Sequence, residues 1–185
     1  MGKLVVTEFI TLDGVFEDPG GAESDYGGWA FKAERGEDGE KFKADELRAA
    51  EAQLLGRITY EGFAQAWPKM QGDWFGQKMN EMPKYVMSNT LQSADWNNSH
   101  VLRGELAETV GQLKQEIQGD ILTAGSGTLV RGLLEAELVD ELRLMVCPVV
   151  LGRGRRLFGE SASVPLKLVE AGKAADTASL VYRRQ

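Results

Sequence analysis

Apolar and polar positions along the chain alternate between short hydrophobic runs and amphipathic stretches. Leu4 to Ile10 (LVVTEFI) is rich in β-branched and apolar types and predicts a buried strand. From Thr11 to Gly39 the periodicity fades. TLDGVFEDPGG, DYGGWAF and ERGEDGE are dense in Gly, Asp and Glu and read mainly as loop, of a length that is usually functional or mobile. Lys41 to Gln53 turns helical, with Phe42, Leu47, Ala50 and Leu54 spaced for one apolar face. A short strand, Leu54 to Gly56, runs into RITYEGFAQAW, a predicted helix that Pro68 ends. After a polar segment, KYVMS (84–88) and HVLRG (100–104) predict two further strands. Glu105 to Gln118 places Leu106, Val110, Leu113 and Ile117 on one helical face, with Gly119 as its C-cap. Ile121 and Leu122 form another apolar run, followed by Ala124-Gly125-Ser126-Gly127 and a new amphipathic stretch. A long strand, Asp140 to Leu151, leads to GRGRR, and Leu166 to Glu170 with Ser179 to Arg183 suggest a terminal hairpin.

Strands alternating with helices through residue 151 imply parallel βαβ units, and the final pair implies an antiparallel edge. The predicted class is therefore α/β with a mixed, mostly parallel sheet in a single domain over residues 1–185. Ligands in such sheets sit at the carboxyl ends of strands. Three strand-to-helix junctions carry glycine or small polar residues there. At Gly56-Arg57-Ile58-Thr59, the Thr59 hydroxyl and free amides of a helix start suit a phosphate, and Arg57 could pair a 2′-phosphate bidentately. Ser88-Asn89-Thr90 follows a strand directly. Gly125-Ser126-Gly127-Thr128 lacks β-carbons at two positions, so its backbone could approach a pyrophosphate closely. Each junction also has a plainer reading as a turn or helix cap, and GSGTLVRG does not fit G-x-G-x-x-G because Gly132 comes too late.

Composition narrows the chemistry. A net charge of −7 opposes nucleic-acid binding, and no apolar run approaches the roughly 20 residues that cross a bilayer. The amino terminus enters a strand pattern with no separate apolar leader, so a cytoplasmic protein without membrane partners is expected. One cysteine, Cys147, and one histidine, His100, exclude a Cys/His zinc cluster and leave a histidine triad dependent on His100 alone. Cys147, in LMVCPVVL, reads as a buried inert thiol. Any reaction would borrow a cofactor, and no metal is expected.

TLDG after the first strand, LLGRITYEGFAQAWP, KYVMSNTL, DILTAGSGTLVRGLLEAELVDELRL and PVVLGRGRRLF, in this order, resemble the dihydrofolate reductase-like superfamily. The likeness is closer to the C-terminal reductase domain of bifunctional riboflavin-biosynthesis proteins and its stand-alone bacterial relatives, and it covers nearly the whole chain. It implies a three-layer fold, an eight-stranded, mostly parallel central sheet flanked by helices and binding NADPH across the strand ends. By that resemblance Arg57 and Thr59 lie at the adenosine-phosphate and pyrophosphate end, together with Gly56. Ser88 and Asn89 fall beside the adenine ribose, and Gly125, Ser126, Gly127 and Thr128 meet the pyrophosphate. Leu12, Asp13 and Gly14 lie near the nicotinamide, under the loop that follows the first strand.

Dihydrofolate reductases carry a carboxylic acid in the first long helix, and Glu40 is the nearest candidate here by count from LLGRITYE. Asp38, Glu40 and Asp45 equally suit a solvated face. Asp13 is a polar group at the end of the first strand, or the first half of a tight Asp-Gly bend, or both. Trp29 lies in the loop region expected over the substrate, whereas Trp67, at helical spacing from Phe63, reads as core. Arg153, Arg155 and Arg156 could grip a substrate phosphate or form a solvated turn.

The expected activity is NADPH-dependent reduction of a pyrimidine- or pterin-like heterocycle or its ribosylamino derivative. The resemblance favours 5-amino-6-(5-phosphoribosylamino)uracil, the riboflavin-pathway substrate, although no deaminase half is expected within these 185 residues. The alternatives are a non-catalytic nucleotide-binding or stress-related module on the same fold, and a purely structural homodimer. The family resemblance also implies homodimerisation.

Overall fold

The computed structural model of the chain describes residues 1–21, 24–159 and 163–185. Its elements in order are β1 (Leu4–Thr11), α1 (Trp29–Lys32), α2 (Gly36–Ala49), β2 (Ala50–Gly56), α3 (Arg57–Ala66) and α4 (Trp74–Glu81). There follow β3 (Lys84–Met87), β4 (Ser99–Leu102), α5 (Leu106–Glu116), β5 (Asp120–Thr123), α6 (Gly127–Glu135), β6 (Glu141–Cys147), β7 (Leu166–Ala174) and β8 (Thr177–Arg184). The eight strands form one sheet in the order β4-β3-β2-β5-β1-β6-β8-β7. The pairs β1–β5, β2–β3, β2–β5 and β3–β4 are parallel, while β6–β8 and β7–β8 are antiparallel. This is the mostly parallel α/β sheet with an antiparallel edge that the alternating pattern predicts.

The chain forms two compact units, each assembled from two separated stretches: Met1–Val6 with Ala44–Val139, and Thr7–Lys43 with Asp140–Gln185. In the first unit, Val5, Leu47, Ala50, Met79, Met82 and Leu122 make one buried cluster, and Leu55, Tyr60, Val86 and Trp96 another. Helix α6 belongs to this unit because Leu129, Val130, Leu133 and Leu134 recur on one face and are all buried. Lys84, wholly buried, anchors the start of β3 by donating from Nζ to the carbonyls of Asn80 (2.7 Å), Met82 (2.8 Å) and Asn97 (2.8 Å). Those three bonds satisfy an ammonium that would otherwise be costly to bury. In the second unit, Trp29, Ala30 and Cys147 pack with Phe9, Val149 and Leu151. The β7–β8 hairpin turns at Ala175, and buried Glu141 of β6 pairs with Arg143 (2.5 Å) and Arg183 (3.0 Å).

Several element boundaries depart from the sequence pattern. The first long helix begins at Gly36, inside the stretch expected to be loop, and ends at Ala49 rather than Gln53. Ala50–Gln53 is strand because Ala50 pairs with Asp120 of β5 while Gln53 pairs with both Leu122 and Lys84 of β3; ladders on both edges override the helix-forming character of AEAQ. The polar segment before β3 contains α4, started by Asp73, whose side chain accepts the Gly76 amide at 2.8 Å. Helix α5 stops at an extended Ile117, so Gly119 is not its cap. Strand β6 ends at Cys147, and Pro148–Leu151 lies beyond it. Among the described residues no helix is long and apolar enough to cross a membrane.

Candidate functional site

In the first unit the three predicted junctions lie at the carboxyl ends of neighbouring strands β3, β2 and β5. Gly56 is the N-cap of α3 and Ser126 the N-cap of α6, and among the described residues neither helix start has a side-chain cap. Both helices therefore present first-turn amides with no intrahelical acceptor. The two turns are joined by Gly56 N–H donating to the Gly125 carbonyl at 3.1 Å. A β-carbon on Gly56 would stand 2.8 Å from the Ser126 nitrogen and 3.0 Å from its Cβ, so only glycine fits this approach. Gly125 sits at φ +106°, where a side chain would be strained, and its peptide to Ser126 is cis. Gly127 is buried behind Ser126, and Thr128 is exposed at the helix start. Thr59 is half-buried in the first turn of α3.

The third junction is a hydroxyl-lined turn. Ser88 Oγ accepts the amides of Leu91 (3.1 Å) and Thr90 (3.3 Å), and Asn89 Oδ1 accepts the Gly104 amide at 3.1 Å. Two guanidinium groups reach it. Arg57 donates from Nη1 to Thr90 Oγ1 at 3.0 Å and from Nε to Glu61 at 2.8 Å. Arg103, which follows β4 directly, donates to the carbonyls of Leu91 (2.6 Å) and Ser88 (3.4 Å). Arg103 escaped the sequence reading although HVLRG displays it. An arginine directly after a strand that neighbours β3 was the available signal, but the β3–β4 pairing is needed to see it.

In the second unit the segment after β1 meets the turn after β6. Asp13 accepts the Thr11 hydroxyl (2.7 Å) and the amides of Gly152 (2.8 Å) and Leu151 (3.2 Å), with Arg156 at 4.0 Å. The Thr11 hydroxyl foremost, then the Gly152 amide, hold its carboxyl down to about 2. Asp13 is thus an anion at neutral pH with no proton to give. It belongs to a tight bend, in which Gly14 N–H donates to Thr11 O at 3.0 Å. Leu12 lies 64% exposed, and its amide donates to Val149 O at 2.9 Å.

The remaining predictions in this unit change in the structure. Trp29 is 3% exposed, packs against Ala30 and Cys147, and donates its indole N–H to Glu17 O at 3.0 Å, so it offers no face to a ligand. Glu40 lies on the solvated side of α2, its side chain 64% exposed and paired with Arg35 at 2.8 Å. The arginine turn is committed to carboxylates: Arg153 to Asp25 (3.2 Å), Arg155 to Glu17 (2.6 Å), and Arg156 to Asp13. Cys147 is buried, and burial pushes its thiol up to about 11, in keeping with an inert thiol.

A carboxyl overlooked in the sequence lies buried in β1. Glu8, in the middle of β1, is 5% exposed, and its Oε1 has no hydrogen-bond partner among the described residues. Burial raises its pKa to about 8, against the opposing pull of Lys43. A charged residue inside LVVTEFI was the available signal. Among the described residues no His, Cys, Asp or Glu group is placed to hold a metal ion.

The RibD C-terminal domain family model matches residues 2–180. The Bacillus subtilis (strain 168) uncharacterized protein YyaP is 29% identical over 160 residues, covering 84% of this chain and 80% of its own length. A structure from Shewanella sp. PV-4, described as a riboflavin biosynthesis protein, superposes with a TM-score of 0.79 at 20% identity, over 99% of each chain. Dihydrofolate reductase from Enterococcus faecalis, complexed with NADP(H) and RAB-propyl, superposes with a TM-score of 0.62 at 17% identity, over 100% of this chain and 97% of that one. At these identities the two structures speak for the fold, whereas the family model spans almost the entire sequence: the chain belongs to the RibD C-terminal domain family.

Proposed function

We propose that the chain is an NADPH-dependent reductase acting on a pyrimidine- or pterin-like heterocycle or its ribosylamino derivative. The observation that carries this reading is the pair of uncapped helix starts at Gly56 and Ser126, on neighbouring strands and joined by the Gly56–Gly125 hydrogen bond. Two helix N-termini with free amides and no intervening β-carbon suit a pyrophosphate, since amides and helix dipoles both favour negative charge there. Arg57 and Arg103, at the Ser88–Leu91 turn, would take a 2′-phosphate. Arg57 would exchange its exposed Glu61 partner for it, a surface pair worth under about 1 kcal/mol.

NADPH, when bound, supplies hydride. In this reading Asp13 holds the Leu12–Gly14 bend as an anion and is not the proton source. The family membership and the reductase among the structural relatives support the reaction class. The riboflavin-pathway compound 5-amino-6-(5-phosphoribosylamino)uracil is the first substrate to try.

The test is titration of the protein with NADPH and with NADH, followed by tryptophan fluorescence. NADPH should bind at least about tenfold more tightly. Arg57→Ala and Arg103→Ala should each remove most of that preference and leave NADH binding nearly unchanged. Equal binding of both cofactors by every variant would overturn the 2′-phosphate assignment, and binding of neither would overturn the reductase reading. A non-catalytic nucleotide-binding module would bind NADPH equally well but never oxidise it with any heterocycle.

A further inference from the structure

The loop after β1 is expected from sequence to be mobile, yet its described residues are pinned at many points, and one side chain lies at the centre. Glu17 Oε2 accepts the Tyr26 hydroxyl at 2.6 Å and the Arg155 amide at 2.9 Å, while Oε1 accepts Arg155 Nε at 2.6 Å. Its own carbonyl takes the Trp29 indole N–H at 3.0 Å. One residue therefore ties together three stretches: the segment after β1, the Tyr26–Trp29 stretch leading into α1, and the turn after β6. The turn is shaped to this contact. A β-carbon on Gly154 would stand 2.9 Å from Val15 Cγ1 and 3.3 Å from both Glu17 Oε2 and the Tyr26 ring. Backbone bonds complete the seam: Phe16 N–H to Arg155 O (3.1 Å), Leu157 N–H to Gly14 O (3.0 Å), and the bridge between Val15 and Arg156.

Two large aliphatic side chains stand on the seam in water, Leu12 at 64% and Val150 at 67% exposure. They lie just past the ends of β1 and β6, where sheets of this class take their ligands. We propose that Glu17 is the positioning residue of this strand-end shelf: its carboxylate locks the segment after β1 to the 152–156 turn before any ligand arrives, and so presents Leu12, Gly14 and Val150 to the ligand's ring. The ligand-facing half of this statement rests on the reductase reading; the locking half does not. The carboxylate suits the task because the Tyr26 hydroxyl, together with Arg155, keeps it ionised below the usual glutamate range. Four charge-assisted or side-chain bonds on one residue make a rigid junction, not a hinge.

Amide exchange on the full chain, read by mass spectrometry with and without NADPH, tests the proposal. Without ligand, Leu12–Phe16 and Leu151–Arg156 should already be protected in the wild type. Glu17→Gln and Arg155→Ala should each speed exchange in both segments by about tenfold or more, leaving the β2 and β5 amides unchanged. Tyr26→Phe, which removes one bond, should give a smaller effect in the same two segments. Unchanged exchange at Leu151–Arg156 in both Glu17→Gln and Arg155→Ala would overturn the lock. With NADPH bound, the nicotinamide emission should differ between Glu17→Gln and wild type while the affinity changes little. Identical emission would sink the ligand-facing half and leave the reductase reading intact. Failure of the wild type to bind NADPH would sink the ligand-facing half with that reading, and the exchange result would still decide the lock.

Discussion

The strand ends of the two units solve the same problem in opposite ways. In the first unit, the turns after β2 and β5 are held by backbone: an amide–carbonyl bond from Gly56 to Gly125, a missing β-carbon, and helix starts whose donors meet no side-chain cap. In the second, the loops after β1 and β6 are joined by backbone bonds and held further by side chains, with Asp13 and Glu17 receiving hydroxyl, amide and guanidinium donors. The first arrangement leaves amide donors available to an anion, whereas the second engages its charges internally. The arginine-rich turn is the more basic stretch in sequence, yet its guanidinium groups are already paired with carboxylates. What recommends a phosphate site is the set of donors left without acceptors after folding, not the number of positive charges nearby.

The largest effect should come from filling the gap that the first arrangement depends on. Gly56→Ala keeps an ordinary φ of −78°, so its effect is steric: the new methyl meets Ser126 backbone. Overpacking of this kind costs about 1–3 kcal/mol, and NADPH affinity should fall by more than about tenfold while the Leu12–Phe16 segment stays protected. Calorimetry with cofactor titration checks the stability and the affinity, and amide exchange the protection. Normal NADPH binding by the Gly56→Ala variant would show that the close approach is unnecessary.

The second unit offers a pH effect. Glu8 has a folded-state pKa of about 8 against an ordinary 4.5, so the stability its protonated form brings is complete below 4.5 and is lost as pH rises through 8. Glu8→Gln should therefore gain stability over wild type steadily from about pH 5 to about pH 8, as thermal melts across that range would show. A constant difference would mean that the carboxyl is not held neutral.

Asp13 has the opposite sign. Its folded-state pKa of about 2 lies below the ordinary 3.8, so its contribution is present above 3.8 and is lost as pH falls through 2. Asp13→Asn should lower the melting temperature at neutral pH and flatten the acid limb between about pH 4 and about pH 2. The smallest effect belongs to Glu40→Ala, which removes an exposed pair and should change stability by under about 0.5 kcal/mol, with no change in cofactor binding. A loss of turnover in that variant would restore Glu40 as a catalytic acid.

Much of the architecture was legible because period and composition agree with it. LVVTEFI, KYVM and the face of α6 carry their own signals, and the glycines at 56, 125 and 127 lie where the pattern changes from strand to helix. Ala50–Gln53 was not legible, since its strand state comes from two neighbours far away in sequence. Trp29 was misplaced for a related reason: a glycine-rich, acidic setting looks like surface until Phe9, Cys147 and Val149 are seen to cover the ring. Arg103 and Glu17 acquire meaning only from partners 9 to 138 residues distant.

By itself the sequence determined the α/β class, the alternation of the main strands and helices, the junction glycines and the absence of a cysteine or histidine cluster. These follow from local periodicity and residue counts, which require no knowledge of what lies opposite. Only the tertiary structure decided which donors remain without acceptors among the described residues, which carboxylates collect hydrogen bonds, and which arginines are already paired. Each of those is a property of a contact between distant segments, and local pattern holds no record of it.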